Sequence, residues 1–235
     1  MAISMATPTP PLAADEGRRA TAAYIAPFLA YIALVAAGRI FHWPPAISYV
    51  VRCAVPAALL VALSRPLLAS RPARPFASIL LGAAVFLIWI APDRLFGYRH
   101  FWLFENSLTG SAATSLAPEL RASLVFRAMR VLGSTLLVPI LEELFWRGWL
   151  MRWLIDTRFV KVPLGAYTPM SFWVVALLFA SEHGPYWEVG LAAGILYNWW
   201  IIRTHNLPDC VLAHGVTNGL LSWYVLAGNH WPYWL

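Results

Sequence analysis

Charge is scarce in this chain. Only 12% of its 235 residues are Asp, Glu, Lys or Arg, against nearer 25% in a soluble domain. With 60% hydrophobic residues, the composition excludes an ordinary soluble domain and points to a polytopic membrane protein. Lysine is almost absent: Lys161 stands alone, and the formal charge of +6 rests on arginine. On loops between apolar runs, such charge sets topology, so no nucleic-acid partner is expected. Cysteine is limited to Cys53 and Cys210, both in or beside apolar runs. Two such residues make neither a disulfide framework nor a metal site. Also missing are an HExxH pair, a GxSxG elbow, a Gly-rich phosphate loop and any internal repeat.

What is present is a series of apolar runs. Residues 1–21 read as a disordered tail, rich in Pro, Ala and Thr and ending near Arg18 and Arg19. Seven helical spans are expected: Ala22–Gly38, Pro45–Leu63, Phe76–Ala91, Leu124–Trp146 with a possible extension to Leu154, Met170–His183, Trp187–Ile202 and Cys210–Ala227. Residues 22–123 would hold the first three spans and an interfacial loop, and 124–235 the helical core that carries chemistry. The loop, Pro92–Arg121, is too polar to span and too aromatic to float, with Tyr98, Phe101, Trp102 and Phe104 close together. It reads as a lid at the interface. Basic residues on alternate loops count ten against four in favour of an N-terminus inside and a C-terminus outside. An integral protein of a bacterial inner membrane is the expected setting, with the bilayer itself as a partner.

Three stretches carry polar groups inside apolar runs. Asp or Arg at the centre of a membrane helix costs roughly 2.5–3.5 kcal/mol, and Glu should be similar. The fourth run nevertheless holds Glu142, Glu143 and Arg147. Glu143 and Arg147 are i, i+4 neighbours and can pair. Glu142 points about 100° away and is left freer, as a general base would be. The fifth run carries Phe179 and, one turn later, His183; Glu182 beside it has no assignable role. The seventh carries His214 and Asn218, i, i+4 donors of the kind a developing oxyanion needs. Each stretch also has a plain reading, as a solvated charge cluster, a helix-end histidine, or a hydrogen bond between helices. Asn198, His205 and Asp209 read as helix-end and loop groups, and Arg52, Arg127 and Arg130 as interfacial or snorkelling.

In this order and spacing, Glu142-Glu143-x-x-x-Arg147, Phe179-x-x-x-His183 and His214-x-x-x-Asn218 resemble the CPBP family. That family includes the type II CAAX prenyl endopeptidases and the bacteriocin-processing or immunity proteins. The resemblance implies an all-α glutamic intramembrane endopeptidase without an obligatory metal, acting on a membrane-embedded protein or peptide. By position it makes Glu142 and His183 the activators of water, and Glu143 and Arg147 their braces. His214 and Asn218 would be the oxyanion donors, and Phe179 a wall of the pocket. An older reading of the same residues is a zinc site of Glu142, His183 and His214. Rivals from other classes are a non-catalytic scaffold or immunity-type protein, and a transporter using Glu and His as a proton relay. Any hydrolytic reading requires Glu142 and His183 to meet, which needs a short fifth span or a deep Glu142.

Overall fold

A computed structural model describes residues 14–114 and 116–234. The described chain is helical, and its one β feature is an isolated bridge between Asn106 and Gly110. The helices named below are α1 (Ala14–Ile40), α2 (Pro45–Leu68), α3 (Pro75–Phe96), α4 (Leu124–Trp153), α5 (Pro169–Ser181), α6 (Trp187–Thr204) and α7 (Leu207–Gly228). Five of them, α1 to α4 and α7, are long and apolar enough to cross a membrane. The expected count of seven spans therefore stands at five by length and composition, with α5 a shorter apolar helix. The tail expected over 1–21 lies outside the described residues as far as residue 13, and from Ala14 onward it is already helix.

Local chemistry explains the boundaries. Pro45, Pro75 and Pro169 stand in the first turns of their helices, where a missing N–H costs nothing. Ser123, Thr168 and Asn206 cap α4, α5 and α7 through side-chain oxygens that accept the N–H of Phe126, Ser171 and Asp209. The third helix runs five residues past its expected end at Ala91, through Pro92, and stops at Gly97, whose φ of 61° suits glycine.

Small residues set the helix crossings, as expected where apolar surface alone gives helices no reason to associate. A side chain on Gly82 of α3 would strike the Ala213 carbonyl and Val216 of α7. At that crossing the Thr217 hydroxyl contacts the Gly82 carbonyl at 2.9 Å. Gly215 and Gly219 let α7 close on Thr135 of α4, and Gly194 lets α6 close on Ala176 and Phe179 of α5. In the α1–α2 hairpin the Ser64 hydroxyl donates to the Ala23 carbonyl at 2.5 Å.

Two polar seams mark the ends of the bundle. At one, Asp209 accepts from the Arg74 N–H at 2.9 Å and the Ser78 hydroxyl at 3.1 Å, while Asn206 donates to the Arg71 carbonyl. Asp209 is fully buried there, so it ties α7 to α3 rather than decorating a loop. At the other end the segment after α3 folds back over the α5–α6 turn. Arg99 is buried, donates to the Pro185 carbonyl at 2.6 Å, and pairs with Glu188 at 2.6 Å. It also lies 4.3 Å from the Tyr186 ring centroid.

Candidate active site

The polar centre sits where α4, α5, α6 and α7 meet. On α4 two π-helical stretches, Gly133–Leu137 and Leu144–Leu150, flank the α-helical Val138–Glu143. Glu142 and Glu143 are thus the last residues before a widened turn, a feature frequent at functional sites. Glu143 and Arg147 are both fully buried and pair at 3.1 Å. Arg147 also donates to the Asn198 side-chain oxygen at 2.9 Å and to the Gly194 carbonyl at 3.3 Å. Its guanidinium lies 4.5 Å from the Phe179 ring centroid and 5.5 Å from that of Tyr197. A buried charge needs this density of partners to offset its lost hydration.

His214 joins the cluster from α7. Its Nδ1 lies 3.0 Å from Glu143 Oε1. An ionised carboxylate only accepts, so Nδ1 carries the hydrogen and Nε2 is turned outward. Nε2 stands 4.0 Å from Glu142 Oε2. That oxygen is buried and has no hydrogen-bond partner among the described residues, as is also true of Glu143 Oε2. One water with legs of about 2.8 Å spans that 4.0 Å gap at an angle near 90°. The Tyr197 ring stacks on His214 at 5.1 Å, and its hydroxyl lies 2.8 Å from the Thr217 hydroxyl.

His183 follows the last turn of α5. Its Nδ1 is 2.7 Å from the Phe179 carbonyl, an acceptor, so the neutral ring again leaves Nε2 as the free lone pair. The imidazole is wedged against Phe179 at 4.7 Å and Trp89 at 5.1 Å. A Cβ on Gly190 would come within 3.0 Å of the ring. No hydrogen bond or ion pair joins His183 to Glu142 among the described residues. Phe179 connects the two halves instead, touching Arg147, His183 and, at 6.0 Å, His214.

The fifth helix is short, as a meeting of Glu142 and His183 requires. The expectation that they share a level needs a short fifth helix, and α5 has 13 residues.

The Asn218 side-chain amide donates to the Ser134 carbonyl at 2.9 Å, fastening α7 to α4. Asn198, expected at a helix end, is a buried mid-helix residue that accepts from Arg147 and donates to the Phe172 carbonyl. An uncharged polar residue inside the apolar run Leu196–Ile201 was the signal for it. Glu182 is exposed and lies within electrostatic reach of Glu142. Among the described residues no three His, Cys, Asp or Glu side chains gather so as to hold a metal ion, so the Glu142, His183 and His214 triad is not assembled as a zinc site.

Outside the helices, the Ser111 hydroxyl and His100 hold the Glu105 carboxyl below its usual range, and the Ala112 N–H adds to this. Burial and the bond to Glu188 push the Tyr98 phenol up to about 12, so it remains a donor at any physiological pH.

Helices able to cross a membrane, closed around buried carboxylates, imidazoles and a guanidinium, define an integral membrane protein with an ionisable centre. Within that class, residues 123–220 match the family model described as Type II CAAX prenyl endopeptidase Rce1-like. The matched segment holds all three motifs. No curated protein and no solved structure matches the chain.

Proposed function

We propose that this protein is an intramembrane endopeptidase of the glutamic type, cleaving a peptide bond of a membrane-embedded protein or peptide. The observation that carries the reading is the 4.0 Å gap between His214 Nε2 and Glu142 Oε2, a buried oxygen without a hydrogen-bond partner among the described residues. Glu142 takes a proton from a water in that gap as its oxygen attacks the scissile carbonyl carbon. His183, with Nε2 free, is the second contact for that water. His214, held at Nδ1 by Glu143, donates from Nε2 to the oxyanion when it carries its second proton. The amide hydrogen of Asn218 not used on Ser134 is the candidate second donor. The proton on Glu142 then passes to the leaving nitrogen as the carbon–nitrogen bond breaks. Arg147 fixes Glu143, and Glu143 fixes His214, so both act by positioning.

The test is cleavage of candidate membrane peptides by the purified protein in proteoliposomes, with and without a chelator. Glu142→Gln and His183→Ala should each lower the rate about 10²–10⁴-fold, the range for general acid–base groups. His214→Ala should cost about 10²–10³-fold, as for an oxyanion donor. Wild-type cleavage by folded Glu142→Gln protein would overturn the reading. The rival, a non-catalytic scaffold, is favoured by the Asn218 bond to Ser134. It predicts no cleavage by any form and damage only from packing changes.

A further inference from the structure

At the end of the bundle where α2 and α4 begin, arginines collect around aromatic rings. Arg52 of α2 lies 4.3 Å from the Tyr49 ring centroid, and Arg130 of α4 lies 5.7 Å from the same centroid. Arg130 also lies 5.2 Å from the Trp234 ring, and Arg121 lies 5.9 Å from that of Trp231. Tyr49 fastens the two helices by donating its hydroxyl to the Arg130 carbonyl at 3.2 Å. Arg127 is one turn before Arg130 on α4.

Two of these arginines, Arg52 and Arg127, have donors that are not used up. Among the described residues, Arg52 makes no hydrogen bond and no ion pair, and its Nε is buried without an acceptor. The same holds for Nε of Arg127, whose one bond is a 3.4 Å contact to the Ala122 carbonyl. Arg121 bonds the Leu116 carbonyl and, among the described residues, pairs with no carboxylate. Buried guanidinium hydrogens without acceptors call for one, and guanidinium forks suit phosphate oxygens.

The height of the patch selects the source. Arg127 is in the first turn of α4, and Arg52 is about 10 Å along α2 from its start. Both positions fall near the headgroup layer if these helices cross the bilayer, with Trp231 and Trp234 placed as interfacial anchors. We infer that Arg52, Arg127 and the aromatic residues beside them form a binding site for the phosphate of an anionic phospholipid. Tyr31 of α1 lies within electrostatic reach of Arg52, Arg130 and Glu142 alike. The inference does not depend on the proposed hydrolysis.

Native mass spectrometry of the delipidated full-length protein tests it, with dioleoylphosphatidylglycerol, dioleoylglycerol and inorganic phosphate as probes. Phosphatidylglycerol should stay bound, the phosphate-free diacylglycerol should not, and millimolar inorganic phosphate should not displace the lipid. Arg52→Gln and Arg127→Gln should each weaken retention about fivefold, and together about thirtyfold, as expected for arginines at a charged membrane surface. Arg65→Gln with Arg71→Gln, at the opposite end, should leave retention unchanged. If the double variant is not recovered folded, the two single variants decide. Equal retention of diacylglycerol, displacement by free phosphate, an effect of the opposite-end pair, or unchanged binding in both single variants would each overturn the site.

Discussion

Arg147 donates in three directions from a position with no solvent exposure, to Glu143, Asn198 and the Gly194 carbonyl. Removing one partner of a buried pair leaves the other charged and dry, which costs about 3–5 kcal/mol. Arg147→Met should therefore lower thermal stability in detergent, and Asn198→Ala, which orphans one donor and one acceptor at about 1–3 kcal/mol each, should lower it by a comparable amount. Glu142→Gln should behave differently. Among the described residues its Oε2 has no hydrogen-bond partner to lose, so the variant should melt no lower than wild type while cleavage disappears. Loss of stability in step with activity would place Glu142 among the braces. The Glu143–Arg147 pair was legible from spacing alone, because i, i+4 on a helix fixes proximity. That Arg147 also needs Asn198 was not legible, since the contact joins residues on α4 and α6 that only the tertiary fold brings together.

Helices show a similar division. The apolar runs revealed where α1 to α7 lie, yet not the π turns of α4 on either side of Val138–Glu143. One extra residue per turn leaves hydropathy unchanged while it re-aims the carboxylates. Nor did the aromatic segment after α3 announce its latch. Arg99 read as a loop charge until its partners Pro185 and Glu188 were placed beside it. Thr109 of that segment lies against Gly184, directly after His183. Arg99→Met should therefore raise hydrogen exchange in residues 97–114 and in 183–188 together; a change confined to the first stretch would show that the latch does not steady the His183 turn. The same segment should respond to acid. Glu105 has a depressed pKa in the folded chain, chiefly through Ser111 and His100. Its contribution is complete above the ordinary carboxylate value near 4.3 and fades as pH falls through the lower folded value. Exchange in 97–114 should rise over that acid window in the wild type. In Glu105→Gln it should already be high and flat with pH; an unaltered acid profile in that variant would remove Glu105 as the cause.

At the scale of the whole molecule, α5 is the element that does not match a bilayer. Its 13 residues extend about 20 Å, against a hydrocarbon core of about 30 Å. Yet its two ends meet both polar seams. Its N-terminal side follows the loop whose Leu164 carbonyl is 2.7 Å from His205 Nδ1, and its C-terminal turn is held by Arg99. The hairpin of α5 and α6 thus runs between the two ends of the bundle on a helix too short to do so through an undistorted membrane. Either the bilayer thins beside α5 or the α5–α6 turn, with His183, remains below the headgroups under the 97–114 segment. Both routes place the polar centre nearer to water than its residue depth implies, and irregular backbone at depth is tolerated where it lines such an entry. Mismatch costs fractions of a kcal/mol per Å, so lipid thickness becomes a lever. In proteoliposomes of 14-carbon chains the protein should melt higher and cleave faster than in 22-carbon chains, with the five long helices adjusting by tilt. Cysteines placed at Phe101 and Asp156, on opposite sides of α4, should label from opposite faces in either lipid. If activity and melting were indifferent to chain length while that labelling held, α5 would have to be shielded from lipid by its neighbours rather than matched to it.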